Sequence, residues 1–199
     1  MNDIPSGMNQ RFVVSICGGS GSGKSTLAKC ICERIGPDRA VRIPSDYYLR
    51  SNPYPTLAEF IQHPLEYDWA LVEQVLNKKD GQVVQVPDYD FIRFQRISLN
   101  GSRSFVMRPI VLMDAMIPYV KANLTVFLDA PEDERRRRIA ERDQRWKTQV
   151  SLNWEQHQRT LEYVNSLNVV YDMVLDGRQP VEENEEDVIT CIRERMRGN

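Results

Sequence analysis

A glycine-rich segment, GGSGSGKS at residues 18–25, has the composition and spacing needed to hold a polyphosphate. Its glycines permit backbone angles at which several amide N–H groups point toward one anion. A helix predicted to begin near Lys24 directs the positive end of its dipole to the same point. Lys24 adds a positive charge for the outer phosphates, and the Ser25 hydroxyl can coordinate Mg²⁺. The GxxxxGK[ST] spacing predicts a nucleoside triphosphate site formed by Gly18, Gly19, Ser20, Gly21, Ser22, Gly23, Lys24, Ser25 and Thr26.

An aspartate follows a second, shorter apolar run. Asp46 comes after AVRIP, residues 40–44, which predicts that it lies at the carboxyl end of a strand. Open α/β sheets bind their ligands at that edge. A carboxylate there can orient or deprotonate an accepting hydroxyl, and the neighbouring Tyr47 and Tyr48 can form a pocket wall. The alternative is a surface aspartate in a turn.

An arginine-rich segment, PEDERRRRIAERDQR at residues 131–145, concentrates positive charge. Arg135, Arg138, Arg142 and Arg145 are spaced i, i+3, i+7 and i+10, so on a helix they share one face. Guanidinium groups make forked contacts with phosphate oxygens. We expect one or two of these arginines to contact phosphate. A solvated helix with internal salt bridges is the alternative.

The elements that must position these residues alternate between strand and helix. Buried strands are predicted for FVVSIC, AVRIP, PIVLMDA, LTVFLDA and VVYDMVLDG, and helices for KSTLAKCICERIG, DWALVEQVLNKKDG and VEENEEDVITCIRERMR. This alternation predicts an α/β fold of the P-loop NTPase type, a parallel sheet covered by helices on both faces. The Asn100-Gly101 pair within RISLNGSRSFVMR predicts a small hairpin, and the arginine-rich segment is expected to form a helical lid.

Length and composition limit the possible domain organisation and the possible partners. The 199 residues suit one domain, residues 11–199, with a lid at about 131–150 and a flexible polar tail at residues 1–10. A net charge of −2 argues against nucleic acid or an anionic membrane as a partner. The four cysteines lack zinc or redox spacing, and a disulfide framework is not expected in a chain of this size, which predicts a reducing, cytoplasmic location. Homo-oligomerisation stays open.

A second candidate nucleotide-binding motif does not have the structural context that it requires. NKKD at residues 77–80 matches the guanine-reading NKxD pattern, but it ends an amphipathic helix instead of following a buried strand. We therefore interpret it as a solvated helix end, which disfavours a switch GTPase. The choice between ATP and GTP is not fixed by these residues.

Taken together and in order, these segments resemble the uridine kinase family and its relatives, phosphoribulokinase and bacterial pantothenate kinase. The resemblance covers roughly residues 11–177 and includes GGSGSGKSTLA, IPSDYYL, HPLEYDWALV, PDYDFIRFQR, VFLDAPEDERRRRIAERD and YDMVLDG. It implies a kinase that uses ATP and Mg²⁺ to phosphorylate a hydroxyl group of a small molecule. It also implies residue roles: catalysis by Asp46, Lys24 and Arg142, nucleotide binding by Arg138, metal binding by Ser25, Asp46 and Asp114, and substrate binding by Tyr48, Asp68, Tyr89, Phe91, Phe94 and Arg96.

The chain departs from the family pattern at four places, one of which is the spacing in RRIAERD, residues 137–143, that is one residue longer than the family's usual form. Phe94 stands where the family has a histidine that contacts the pyrimidine, Asp114 stands where it has a glutamate, and QRWK at residues 144–147 replaces a glycine-containing lid. The acceptor is therefore left open among uridine, another nucleoside, a sugar phosphate and a pantothenate-like acid. A nucleotide-binding regulator with weakened catalysis is the alternative from another class.

Overall fold

The computed structural model describes residues 11–146 and 153–198. The predicted tail, residues 1–10, and the last part of the predicted lid, residues 147–150, lie outside the described residues. The strands are β1 (Phe12–Cys17), β2 (Ala40–Ile43), β3 (Val83–Gln85), β4 (Asp88–Asp90), β5 (Gln95–Ser98), β6 (Ser104–Val106), β7 (Ile110–Asp114), β8 (Leu124–Asp129) and β9 (Met173–Asp176). The helices are α1 (Lys24–Ile35), α2 (Leu57–Phe60), α3 (Trp69–Leu76), α4 (Glu132–Trp146), α5 (Trp154–Ser166) and α6 (Val181–Arg197), and a 3₁₀ turn spans Ser45–Tyr48.

The main sheet has five parallel strands in the order β2-β7-β1-β8-β9. Every residue of β1 and β7 is buried, since both strands lie inside the sheet with a layer on each face. Continuous apolar runs such as FVVSIC are typical of parallel strands in this position. The α/β class and the parallel sheet predicted from the sequence are confirmed.

Helices cover both faces of this sheet. On one face, α1 and α6 contribute Leu27, Ile31 and Ile192 to a common core with the strands. On the other face, α3 contributes Val72 and Val75 to a second core cluster. In each helix the buried residues recur at three or four positions, so that one stripe faces the sheet. This packing leaves the carboxyl edge of the sheet open for the loops that follow the strands.

The small antiparallel region differs from the predicted pairing. A hairpin is present, but β4 pairs with β5, whereas β6 pairs with β3 around it. The Asn100-Gly101 segment therefore does not join two paired strands. Instead, Gly101 donates its backbone N–H to the carbonyl of Val86 at 3.0 Å, and Val86 donates to Arg103 at 2.8 Å. Val86, between β3 and β4, thus forms backbone hydrogen bonds with the residues that a local hairpin would pair with each other.

The described ranges contain no helix with the length and apolar character needed to span a membrane. The four cysteines are free thiols.

Candidate active site

The glycine-rich loop connects β1 to α1, as the sequence predicts. Gly21 has φ of 83°, in the left-handed region, and a Cβ atom there would lie 2.5 Å from the carbonyl oxygen of Arg135. A side chain at this position is therefore excluded both by backbone angle and by the close approach of α4. The Lys24 ammonium folds back over the loop and donates to the carbonyl of Gly19 at 2.8 Å.

A cavity of about 1230 Å³ opens beside this loop. Its walls include Lys24 and Ser25 from the start of α1, Asp46 from the turn after β2, and Asp114 from the end of β7. The carboxyl ends of three neighbouring strands thus supply the functional groups, as expected for an open parallel sheet. The cavity is large enough for a nucleotide and a second, smaller molecule.

Asp46 is held in this cavity by a residue that the sequence did not indicate. The hydroxyl of Tyr67 donates to Oδ1 of Asp46 at 3.1 Å and accepts from the backbone N–H of Met116 at 3.1 Å. The buried Tyr67 ring stacks on Trp69, with 4.9 Å between centroids. Packing and hydrogen bonding therefore fix the orientation of the Asp46 carboxylate.

The cavity perturbs both charged groups that face each other. Burial raises the pKa of Asp46, the nearby Asp114 charge raises it further, and Lys24 opposes the rise. Burial lowers the pKa of Lys24, while the attraction of Asp46 and Asp114 opposes the fall. Opposed shifts of neighbouring titratable groups are a property of catalytic sites.

Asp114 forms a second polar cluster below Lys24. Its carboxylate, only 3% exposed, accepts a forked pair of hydrogen bonds from Nε and Nη2 of Arg42, both at 2.7 Å. It also accepts from the Ser25 hydroxyl at 2.5 Å. Arg42 lies in β2, which pairs with β7. The sequence offered one signal for this pairing. Arg42 stands inside an apolar strand, and a partly buried arginine needs a carboxylate partner.

The lid arginines divide into two groups. Arg138, Arg142 and Arg145 line the cavity. Arg135 is buried instead: it donates to the carbonyl of Ala130 and to Gln158, and its guanidinium lies over the Trp154 ring. Three of the four arginines on the predicted helix face therefore line the cavity, whereas Arg135 stabilises the fold.

Arg138, expected to bind the nucleotide, is engaged by protein groups in this structure. It donates to Glu134 at 2.7 Å, to the carbonyl of Ser22 at 3.2 Å and to the carbonyl of Gly177 at 2.9 Å. It thereby connects α4 to the glycine-rich loop and to the turn after β9. Arg142 lines the same cavity, and its positive charge adds to the effect of burial in lowering the pKa of both Lys24 and His157.

The residues expected to bind the substrate are only partly brought together. Phe91 and Phe94 line the cavity. Among the described lining residues, Tyr48, Asp68, Tyr89 and Arg96 do not occur. Tyr48 is fully buried in the core.

The other three side chains have partners within the protein. Asp68 accepts from the backbone N–H of Leu71 at the start of α3 and from Arg96 at 3.0 Å. Arg96 also donates to the carbonyl of Leu49 at 3.0 Å. The Tyr89 hydroxyl donates to the carbonyl of Arg50 at 2.9 Å. Capping and local ion pairing thus satisfy the groups that the resemblance assigned to a ligand.

His157 is a cavity residue that sequence reasoning missed. It lies in α5, is nine-tenths buried and lines the cavity. Burial, reinforced by the charges of Lys24, Arg142 and Arg135, lowers its pKa to about 4. The ring is therefore neutral at pH 7, and within the described structure its Nδ1 has no hydrogen-bond partner. A single histidine on an amphipathic helix gave no sequence signal for this position.

The site combines a phosphate loop after the first strand with a lysine and an aspartate that face one cavity, and an arginine-rich helix lies at its edge. These features define a P-loop kinase. No protein-family model matches the chain. A uridine kinase of Deinococcus deserti is 30% identical over 172 residues, which cover 80% of this chain and 81% of the relative. The chain belongs to the uridine kinase family.

Solved structures agree on the fold. A protein of Bacillus stearothermophilus described as a possible uridine kinase superposes with a TM-score of 0.52 at 19% identity, covering 86% of this chain and 91% of that one. A gluconokinase of Sinorhizobium meliloti gives a TM-score of 0.50 at 18% identity, covering 91% and 92%. Membership of the uridine kinase family makes the chain an ATP-dependent kinase that transfers a phosphoryl group to a hydroxyl of a small molecule.

Proposed function

We propose that Asp46 is the general base of this kinase and that Lys24 and Arg142 stabilise the transferring phosphoryl group. The observation that carries the proposal is the convergence of Lys24, Ser25 and Asp46 on one cavity beside the glycine-rich loop. Phosphoryl transfer depends mainly on positioning and on charge stabilisation, and this cavity supplies both.

The chemistry follows from the surroundings of Asp46. Its raised pKa makes the carboxylate a better proton acceptor at neutral pH than an exposed aspartate. Tyr67 fixes the direction of one oxygen and leaves the other available to an acceptor hydroxyl. Asp46 takes the proton of that hydroxyl as its oxygen attacks the terminal phosphorus of ATP. The leaving ADP oxygen departs toward the side of Lys24 and the loop amides.

We extend the proposal to a Mg²⁺ site, because the oxygen donors present fit this ion. Bound Mg²⁺ would neutralise charge on the phosphates. The Ser25 hydroxyl is suited to direct coordination, and Asp46, which accepts a hydrogen bond from Tyr67, could hold the ion through a bound water and keep an oxygen for the acceptor hydroxyl. Asp114 already accepts three hydrogen bonds from Arg42 and Ser25. Asp114 would therefore act through water or by orienting Ser25.

The particular acceptor belongs to the proposal as well. The curated relative from Deinococcus deserti carries the name uridine kinase, which makes uridine the first acceptor to test. The engagement of Asp68 with Arg96 and the presence of Phe94 favour a different acceptor.

We further propose a reducing, cytoplasmic setting, which the free cysteines support. Homo-oligomer formation and the expected lack of a nucleic-acid partner remain proposals.

The experiment is ADP release from ATP, measured with and without uridine, cytidine, gluconate and pantothenate, for the wild type and Asp46→Asn. We expect acceptor-dependent release in the wild type. In the variant it should fall by about 10²–10⁴-fold, with Mg·ATP affinity by calorimetry little changed. Equal turnover by the two proteins would remove Asp46 from its role. Nucleotide binding with no acceptor-stimulated release would favour the regulator.

A further inference from the structure

The cavity contains a buried side chain whose capacity for hydrogen bonding is unused. Nδ1 of His157 is buried and has no hydrogen-bond partner within the described residues. Other described side chains also have a buried polar atom without a partner, but among them only His157 lines the cavity. A buried polar atom without a partner is unfavourable and requires an explanation. A ligand that occupies the cavity would supply the missing partner.

Helix α5 holds His157 beside residues 57–65, a segment that supplies part of the cavity wall. The Thr160 hydroxyl accepts from the backbone N–H of Leu65 at 2.9 Å. The Gln156 amide donates to two carbonyls of the same segment, at 3.3 and 3.2 Å. Leu65 lines the cavity, as His157 does. The position of His157 against this wall is therefore fixed by the hydrogen bonds of its neighbours on the helix.

The ring is also close enough to the glycine-rich end of the cavity for Lys24 and Arg142 to act on it. Their positive charges add to the effect of burial, which lowers the pKa of His157 to about 4, so the ring is neutral at pH 7. A neutral imidazole has one nitrogen that donates and one that accepts. A hydroxyl can do both, so it satisfies Nδ1 in either tautomer of the ring.

We propose that His157 recognises the acceptor, and that its Nδ1 forms a hydrogen bond with a second hydroxyl of a polyhydroxylated molecule whose first hydroxyl faces Asp46. This inference rests on the proposed kinase function. It gives α5 a role in substrate specificity. Asn153, four positions before His157, also lines the cavity and offers a second hydrogen-bonding group on the same side of the helix.

The test removes the two halves of the proposed hydrogen bond separately and together. Uridine is compared with 2′-deoxyuridine and 3′-deoxyuridine, and gluconate with its monodeoxy analogues. Calorimetry measures binding in the presence of Mg²⁺ and a non-hydrolysable ATP analogue. In the wild type, we expect the loss of one particular hydroxyl to weaken binding about tenfold. In His157→Leu the parent compound should bind about tenfold more weakly, and loss of the same hydroxyl should have no further effect.

Three measurements distinguish a contact with the acceptor from a structural role. In His157→Leu the KM for the acceptor should rise about tenfold with kcat little changed, because the bond exists before and during the reaction. The affinity for the ATP analogue should be unchanged. The Tm of the ligand-free variant should equal or exceed that of the wild type, because leucine removes a buried polar atom that has no partner.

A conservative variant and a matched control complete the experiment. His157→Asn places an amide near the position of Nδ1 and should retain most of the discrimination between the parent compound and its deoxy analogue. His63→Leu alters the other histidine of the chain, which is exposed and stacks on Tyr54 outside the cavity. It should leave every affinity unchanged.

The outcomes separate this inference from the kinase function. Equal discrimination in His157→Leu and the wild type, or binding of neither uridine nor gluconate to the wild type, would overturn the role of His157 while leaving the kinase intact. A loss of ATP-analogue affinity as large as the loss of acceptor affinity, or a lower Tm in both His157 variants, would also overturn it. Discrimination through His157 without ADP release from any acceptor would overturn the kinase function and leave the binding site standing.

Discussion

The Tyr67 hydroxyl bridges the Asp46 carboxylate and the backbone N–H of Met116 through two hydrogen bonds of 3.1 Å. Tyr67 thus connects the turn after β2 to the segment after β7, and Asp46 and Met116 from these two segments both line the cavity. The proposed base is held by a donor that belongs to neither strand. Removal of the Tyr67 hydroxyl is expected to change both the orientation and the proton affinity of the Asp46 carboxylate.

Tyr67→Phe should shift the pH profile of turnover. The hydrogen bond from Tyr67 favours the ionised carboxylate and so lowers the pKa of Asp46. Without it the pKa rises, and because the base must be ionised, the acidic limb of kcat moves to higher pH. We also expect kcat at neutral pH to fall about tenfold. Tyr163→Phe, at an exposed position, is the control; an unmoved limb in Tyr67→Phe would contradict the arrangement.

Asp46→Asn should stabilise the fold at alkaline pH. The folded-state pKa of Asp46 lies above its ordinary value, so the aspartate stabilises the folded state only at low pH. That contribution is lost as pH rises through the folded pKa. An amide does not titrate, so the Tm of the variant relative to the wild type should rise as pH increases from the ordinary aspartate pKa through the folded-state pKa of Asp46, and should stay level above it.

The matched control for this comparison is Asp38→Asn, at an almost fully exposed aspartate. Thermal unfolding by circular dichroism at several pH values measures both. A Tm difference for Asp46→Asn that shrinks as pH rises would show that the sign of the shift is wrong.

Arg42→Met should destabilise the protein by about 3 kcal/mol, because it leaves Asp114 buried without its cation. Urea unfolding measures the loss. Arg50→Met is the control, since Arg50 and Glu66 are both well exposed and 3.9 Å apart, and such pairs contribute about 0–1 kcal/mol. Adding Asp114→Asn to Arg42→Met should recover part of the loss. Equal losses in the two arginine variants would mean that the fork does not stabilise the fold.

Gly21→Ala should weaken Mg·ATP binding by more than tenfold in calorimetry, because its methyl group meets the Arg135 carbonyl and displaces the loop from α4. Gly81→Ala is a closely matched control. Gly81 has nearly the same φ, 82°, but nothing lies within 4 Å of a Cβ there. Backbone strain is thus shared, and only the contact differs. Unimpaired binding by Gly21→Ala would remove the loop–helix contact from the account.

Local signals in the sequence predicted that the glycine-rich loop and Asp46 lie at one edge of the sheet, and both line the same cavity. The glycine-rich loop and Asp46 each follow an apolar strand directly, and parallel strands bring such positions to one edge. The sequence did not predict the roles of Arg42, Tyr67 and His157, because these roles depend on partners distant in sequence. The fork from Arg42 reaches Asp114 across 72 positions, which no spacing rule anticipates.

The strand pairing around the Asn100-Gly101 turn could not be predicted for a related reason. The turn predicted a local hairpin, and strands β3 and β4 provide the actual partners. Competition among hydrogen-bond partners decided this case, and composition alone does not resolve such competition. Asp68 and Arg96 pair with each other in the fold, and their role toward a substrate stays a prediction.

Two arginines near the start of α4 clasp the phosphate-binding loop. Arg135 donates to the carbonyl of Ser20 at 3.4 Å, and Arg138 donates to the carbonyl of Ser22 at 3.2 Å. The first two turns of the helix are therefore hydrogen-bonded to the loop. A displacement of the loop would change the hydrogen bond of Arg138, which lies one helical turn before Arg142 in α4.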